Sequence, residues 1–185
     1  MIDDVLLHTT EKMAKAVEVT REEFAAVRTG RASPALVQRI TVDYYGSPTP
    51  LQQLASVSVP ESKSLLIHPY DRNAVSSIEK AIMASDLGIT PSNDGANIRL
   101  NFPALTEERR KELIKVAHGR AEEGKVAIRG VRRHAKQKLE RMKKDHVLSE
   151  DEERAAETEL QKLTDKYVAE VDAHLKRKEQ ELSEV

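Results

Sequence analysis

The sequence predicts an α+β protein of two domains, a long three-helix bundle carrying a small inserted β/α/β domain, and three observations lead there. Charged residues make up 33% of the 185 residues and aromatics only 3%, with no Trp, a composition closer to long amphipathic helices than to a sandwich, barrel or sugar cleft. Apolar residues recur at spacings of three and four in the first thirty residues and in the last eighty, the period of one helix face. All seven prolines fall between Arg31 and Ala104, where apolar residues alternate instead.

Leu6, Thr10, Met13, Val17, Thr20, Phe24 and Val27 form the stripe of the first helix, with Gly30 as its stop. A second helix starts with Thr106 as N-cap and Glu107 and Glu108 in the first turn, where acids suit the helix dipole. Its stripe is Leu113, Ala117, Gly124, Ala127, Val131, Ala135, Leu139 and Met142. The third opens on the Ser149/Glu152 capping box and continues through Ala156, Leu160, Leu163, Tyr167, Val171, Leu175 and Leu182. Three such faces bury one another in a bundle.

The intervening stretch reads as strands. Ile40, Val42 and Tyr44 share one face, Val57 and Val59 a second, and Ile98, Leu100 and Phe102 a third. A short helix over roughly 73–87, with Val75, Ile78 and Ile82 inward and Gly88 as stop, interrupts them. The expected division is therefore 1–30 with 105–185 as the bundle and 31–104 as the insert. The two connections lie near 30–31 and 103–105, with Gly30, Arg31, Pro103 and Ala104 as hinge residues.

Composition also excludes. Without Cys there is neither a disulfide framework nor a thiolate metal site. The amino terminus, MIDDVLLHTTEK, reads as no signal, transit or membrane segment, so a soluble cytoplasmic monomer is expected. No phosphate-cradling glycine motif, serine elbow or metal-ligand spacing of the six histidines is present. His68 and Asp71 in HPYD read better as a turn than as an acid/base pair. The expectation is no enzyme, no cofactor and no metal.

Charge is segregated. Arg109 to Lys144 holds fourteen Lys/Arg against four Asp/Glu, a net +10, while Asp145 to Asp172 holds ten acids against three bases, a net −7. On a helical projection Lys111, His118, Lys125, Arg129, Arg132, Lys136 and Lys143 form a band beside the apolar stripe. A merely solvated face usually mixes signs for i,i+4 pairing, so a polyanion is the expected partner of this one. A helix from Thr106 to Lys144 runs about 58 Å, enough to meet several RNA phosphates. With few aromatics, backbone and shape recognition is expected rather than base stacking. RTGRASPAL, from Arg28, admits two readings: a capped turn with solvated arginines, or a phosphate grip at a bend.

RTGRASPAL, YYGSPTPLQQLASVSV from Tyr44, EKAIMASDLGITP from Glu79, LTEERRKELIK from Leu105 and VRRHAK from Val131 together resemble the bacterial ribosome recycling factor family over nearly the whole chain. The resemblance implies an L-shaped protein acting with elongation factor G and GTP to split the post-termination ribosome into subunits, freeing mRNA and tRNA. It implies a bundle lying on large-subunit ribosomal RNA while the insert swings about the hinge. Arg28, Arg31, Arg129, Arg132 and Arg133 occupy the motif positions whose arginines meet that RNA in the family, with Lys125 and Lys136 extending the band. The departures are Gly130 and His134, where the family often carries Asn and an acid. The rival reading is a coiled-coil adaptor or RNA chaperone whose basic and acidic helices simply pair.

Overall fold

The computed structural model describes residues 1–184, so Val185, the last residue of the expected bundle, lies outside the described residues. The described residues form two compact units, 1–24 with 114–180 and 25–113 with 181–184.

The first unit is helical. α1 spans Ile2–Ala25, α3 Glu107–Lys144 and α4 Glu150–Ser183; the short α2 lies in the second unit. Met13, Val17, Phe24, Ala117, Ala121, Ile128, Leu139, Leu160, Tyr167 and Val171 are buried in one apolar cluster. The core is slim, and small residues let the helices close on it: an added Cβ at Gly124 would sit 2.3 Å from Thr20 Oγ1. Two details of helix phase differ from the sequence expectation. Near the amino terminus Val5 and Thr9 are buried while Leu6 and Thr10 are only partly so, one residue earlier than expected. In α3 the stripe steps from Gly124 to the fully buried Ile128, leaving Ala127 exposed. A four-residue step there keeps the larger side chain on the core side.

Helix ends follow local hydrogen bonding. Thr106 Oγ1 accepts from Arg109 N at 3.1 Å, and at α4 Ser149 N donates to Glu152 Oε2 at 2.8 Å while Glu152 N donates to Ser149 Oγ at 3.2 Å, the reciprocal capping box. α3 closes with His146 at φ 58° and Val147 N donating to Met142 O at 2.8 Å, a left-handed cap of the Schellman kind without its usual glycine. α1 stops at Ala25, five residues before Gly30, so Gly30 lies in the following loop rather than at the helix end.

The second unit is mixed. β1 (Thr41–Tyr44) and β2 (Ser47–Pro50) form an antiparallel hairpin. β3 (Ala55–Glu61), β4 (Ser64–Pro69), β5 (Ser92–Asn93) and β6 (Ile98–Asn101) form a sheet of order β3-β4-β6-β5. α2 (Val75–Ala84) buries Val75, Ile78 and Ile82 among Leu51, Leu65, Ile67, Ile98 and Leu100. It ends four residues before Gly88, and a single 3₁₀ turn over Arg72–Ala74 precedes it. Val59 is 40% exposed and does not share the partly buried face of Val57, because the β3–β4 register slips between Ser58 and Glu61 and a bulge breaks alternation. β4 pairs on both sides and shows no alternation to mark it: its SLLI run is apolar without period two, as central strands are. Asp71 Oδ1 accepts from Asn73 N at 2.9 Å, and His68 Nδ1 pairs with the Asn97 side chain, so these two residues serve turns, not each other.

Candidate nucleic-acid interface

α3 carries the basic band, and the structure sorts its members by what faces them. Those flanking α4 meet carboxylates. Lys125, 15% exposed, lies 2.5 Å from Asp172 and 3.3 Å from Glu122; these contacts, the Asp172 hydrogen bond first, raise its pKa above the ordinary lysine value. Lys136 reaches Glu157 at 3.6 Å and Glu140 at 3.9 Å. Lys143 lies 2.5 Å from the buried Glu153, which raises the lysine pKa. His118 meets Glu179, and Lys111 pairs with Glu107 one turn back at 2.9 Å. Part of the positive run therefore neutralises the acidic run, in the manner of flanking charges along a helix seam.

The arginines behave differently. Arg129 and Arg133 are exposed or nearly so, one turn apart, and have no carboxylate partner among the described residues. Arg132 is half-buried, its Nε sealed from solvent without a hydrogen-bond partner. It lines an open groove of about 610 Å³ between α3 and α4, together with Lys136, Arg154 and Lys162, and with Glu157 and Asp165. A stem packed on the seam with its charge at the rim is how a long basic side chain presents a guanidinium outward. Arg154 and Lys162 lie outside the expected band. Both lie on one face of α4 with Thr158, at four-residue spacing, and both are neutralised within that helix, Arg154 by Glu150 and Lys162 by Glu159, each at 2.7 Å.

In the second unit Arg28 is fixed in place. Its guanidinium donates to Pro103 O at 2.7 Å and lies 5.7 Å from the centre of the Phe102 ring. Burial, with Arg109 nearby, lowers its pKa from the ordinary arginine value. Arg31 is exposed in a turn where its N donates to Thr29 Oγ1 at 3.2 Å. Gly30, Arg31 and Ala104 line a cleft of about 180 Å³ with Lys63, Arg110 and Glu181. Ala32 N to Ser62 O and Phe102 N to Lys63 O, both 2.8 Å, tie the two crossing segments to the β3–β4 turn.

Among the described residues no group of His, Asp and Glu could hold a metal ion, and no helix is long and apolar enough to cross a membrane. Long helices in one chain with a mixed unit, and Arg129, Arg132 and Arg133 on α3 without a carboxylate partner among the described residues, define a two-unit α+β protein with a basic helix face. The chain belongs to the ribosome recycling factor family, whose model matches residues 20–182. The ribosome-recycling factor of Acidothermus cellulolyticus is 57% identical over 185 residues and that of Saccharopolyspora erythraea 55%, each covering all of both chains. A solution structure of a ribosome recycling factor matches at TM-score 0.75 and 44% identity, covering 100% of this chain and 98% of that one. A second structure, at TM-score 0.67, 46% identity and 98% coverage of both, is the T. thermophilus factor with E. coli elongation factor G bound to the E. coli post-termination complex. The family is one of translation factors, not enzymes.

Proposed function

We propose that this chain binds the ribosomal RNA of the large subunit and, with elongation factor G and GTP, splits the post-termination ribosome into subunits, releasing mRNA and tRNA. The observation that carries the RNA contact is the contrast on α3: Lys125, Lys136 and Lys143 are occupied by carboxylates while Arg129, Arg132 and Arg133 are not. Planar guanidinium groups grip phosphate oxygens through two donors, so these three are the primary contacts. Lys125 and Lys136 extend the band, and Arg28 and Arg31 add a second basic point. The chain works as a cytoplasmic monomer without a cofactor. Residues 1–30 with 105–185 act as the RNA-binding body, and 31–104 moves as the insert about Gly30, Arg31, Pro103 and Ala104.

Purified chain added to post-termination ribosomes with elongation factor G and GTP should raise the rate of subunit separation, read by light scattering, well above elongation factor G alone. No increase overturns the reading. The ion pairs between α3 and α4 favour the rival adaptor reading as far as they go. Cosedimentation decides between them: an adaptor would bind free RNA and large subunits alike, whereas a recycling factor prefers the subunit.

A further inference from the structure

Tyr44 and Tyr45 meet beside Asp71 in the mixed unit, and Tyr70 precedes Asp71 in the chain. Tyr45 is 77% exposed and Tyr70 69%. Tyr45 also occupies an uncomfortable backbone position. It is the first residue of the two-residue turn joining β1 to β2, at φ 50°, with Gly46 at φ 79°. A turn with both central residues left-handed strongly prefers Asn, Asp or Gly first, since a larger side chain crowds the backbone there. A bulky aromatic held in such a conformation, with most of its surface still open to solvent, leaves a ring face available to a partner.

Beneath the rings lies a carboxylate. Tyr44 Oη donates to Asp71 Oδ2 at 2.9 Å, and the Tyr44 and Tyr45 rings meet edge to face at 4.6 Å between centres. The Asn73 N–H first, then the Tyr44 hydroxyl, and to a lesser degree that of Tyr45, hold Asp71 below the usual aspartate range, so it stays charged. These neutral donors, and no cation, set its ionisation; Arg72, its neighbour in sequence, is exposed.

We propose that the Tyr45, Tyr70 and Asp71 corner receives an arginine side chain presented by a protein partner. A guanidinium satisfies both features at once, stacking on an aromatic face while its N–H groups reach the carboxylate. Lysine satisfies the charge but cannot stack as a plane. A nucleic-acid base could stack, but its phosphates would face a fixed negative charge.

The full chain has no Trp and its one tyrosine outside this segment is Tyr167, so the part of the tyrosine emission change that Tyr45→Asn removes reports on this corner. It is titrated with a six-arginine peptide, a six-lysine peptide and oligouridylate, alongside Tyr45→Asn and Asp71→Asn. The latter keeps an oxygen to cap the Asn73 N–H and removes the charge, together with the second oxygen that accepts from Tyr44 Oη. The arginine peptide should bind more tightly than the lysine peptide, and each variant should weaken it by about threefold or more, the range of one cation–aromatic contact. Tyr45→Asn should also melt higher than the parent, because Asn suits the turn. A lower melting temperature would mean that the ring serves the fold, and overturns the proposal. So does an arginine response equal in all three proteins, or oligouridylate binding that Tyr45→Asn alone abolishes, which would assign the corner to base stacking.

Discussion

The inward and outward faces of α3 carry the same kinds of residue to opposite ends. Inward, Gly124 admits Thr20 of α1, and Lys125 is clamped between Asp172 and Glu122. Outward, Gly130 has open space where a Cβ would stand, and Arg129 and Arg133 have no counter-charge among the described residues. A glycine or a base on this helix has no fixed meaning; the neighbour decides. Lys125, Lys136 and Lys143 stand where a flexible point charge finds a carboxylate, whereas the planar forks of Arg129, Arg132 and Arg133 meet none among the described residues.

The contrast is most strongly tested by charge reversal. Arg132→Glu should lower large-subunit affinity by more than tenfold, exceeding the roughly 1.5–3 kcal/mol of one charged hydrogen bond, since it also sets a negative charge against phosphate. Circular dichroism and melting should be unchanged. Arg132→Ala should do less and should reduce the slope of log K against log salt by about one, because one phosphate fewer is neutralised. If both variants bind like the parent with the parent's salt slope, the outward face is only solvated.

Next in size is a matched pair of substitutions. Gly124→Ala should destabilise, because overpacking at a close helix contact costs about 1–3 kcal/mol, more than the helix propensity it recovers. Combining it with Thr20→Ala should restore much of the stability. Gly130→Ala, the same change six residues on, should stabilise by about 1 kcal/mol. Denaturant melts read both, and equal signs would break the comparison.

The smallest effect is alkaline. Lys125 has its pKa raised in the folded state by Asp172 and then Glu122. Its contribution is therefore fully present below the ordinary lysine value of 10.5 and fades as pH rises through the raised one. Lys125→Met should flatten the loss of stability in that alkaline window and leave stability near neutrality only slightly lower. An unchanged pH profile would remove Lys125 from the seam.

Much of this is legible in the sequence. Met13, Val17, Phe24, Leu139, Leu160 and Tyr167 follow helical spacing so closely that period alone identifies them as core, and the Ser149/Glu152 box forms as its sequence signature requires. Ile128 escapes because Ala127 also continues a three-and-four pattern, and only packing chooses between adjacent positions. The fate of Lys125 and Lys136 is not legible, as the rotation of α4 against α3 decides which bases meet acids. β4 hides for a related reason: pairing on both sides removes the polar half of the alternation.

The turn between α3 and α4 has a further consequence, in the order of events as the chain folds. Only Asp145 to Ser149 separate these helices, with Lys143 and Glu153 paired across the turn, so their contacts are local and inexpensive in loop entropy. α1 must instead find α3 across the whole mixed unit, a closure whose cost grows with the intervening length. The expected course is an early α3–α4 hairpin onto which α1 docks last. In pulsed hydrogen exchange, the amides around Leu139 and Leu160 should then gain protection before those around Met13, and the reverse order would place the nucleus at the Gly124–Thr20 contact instead.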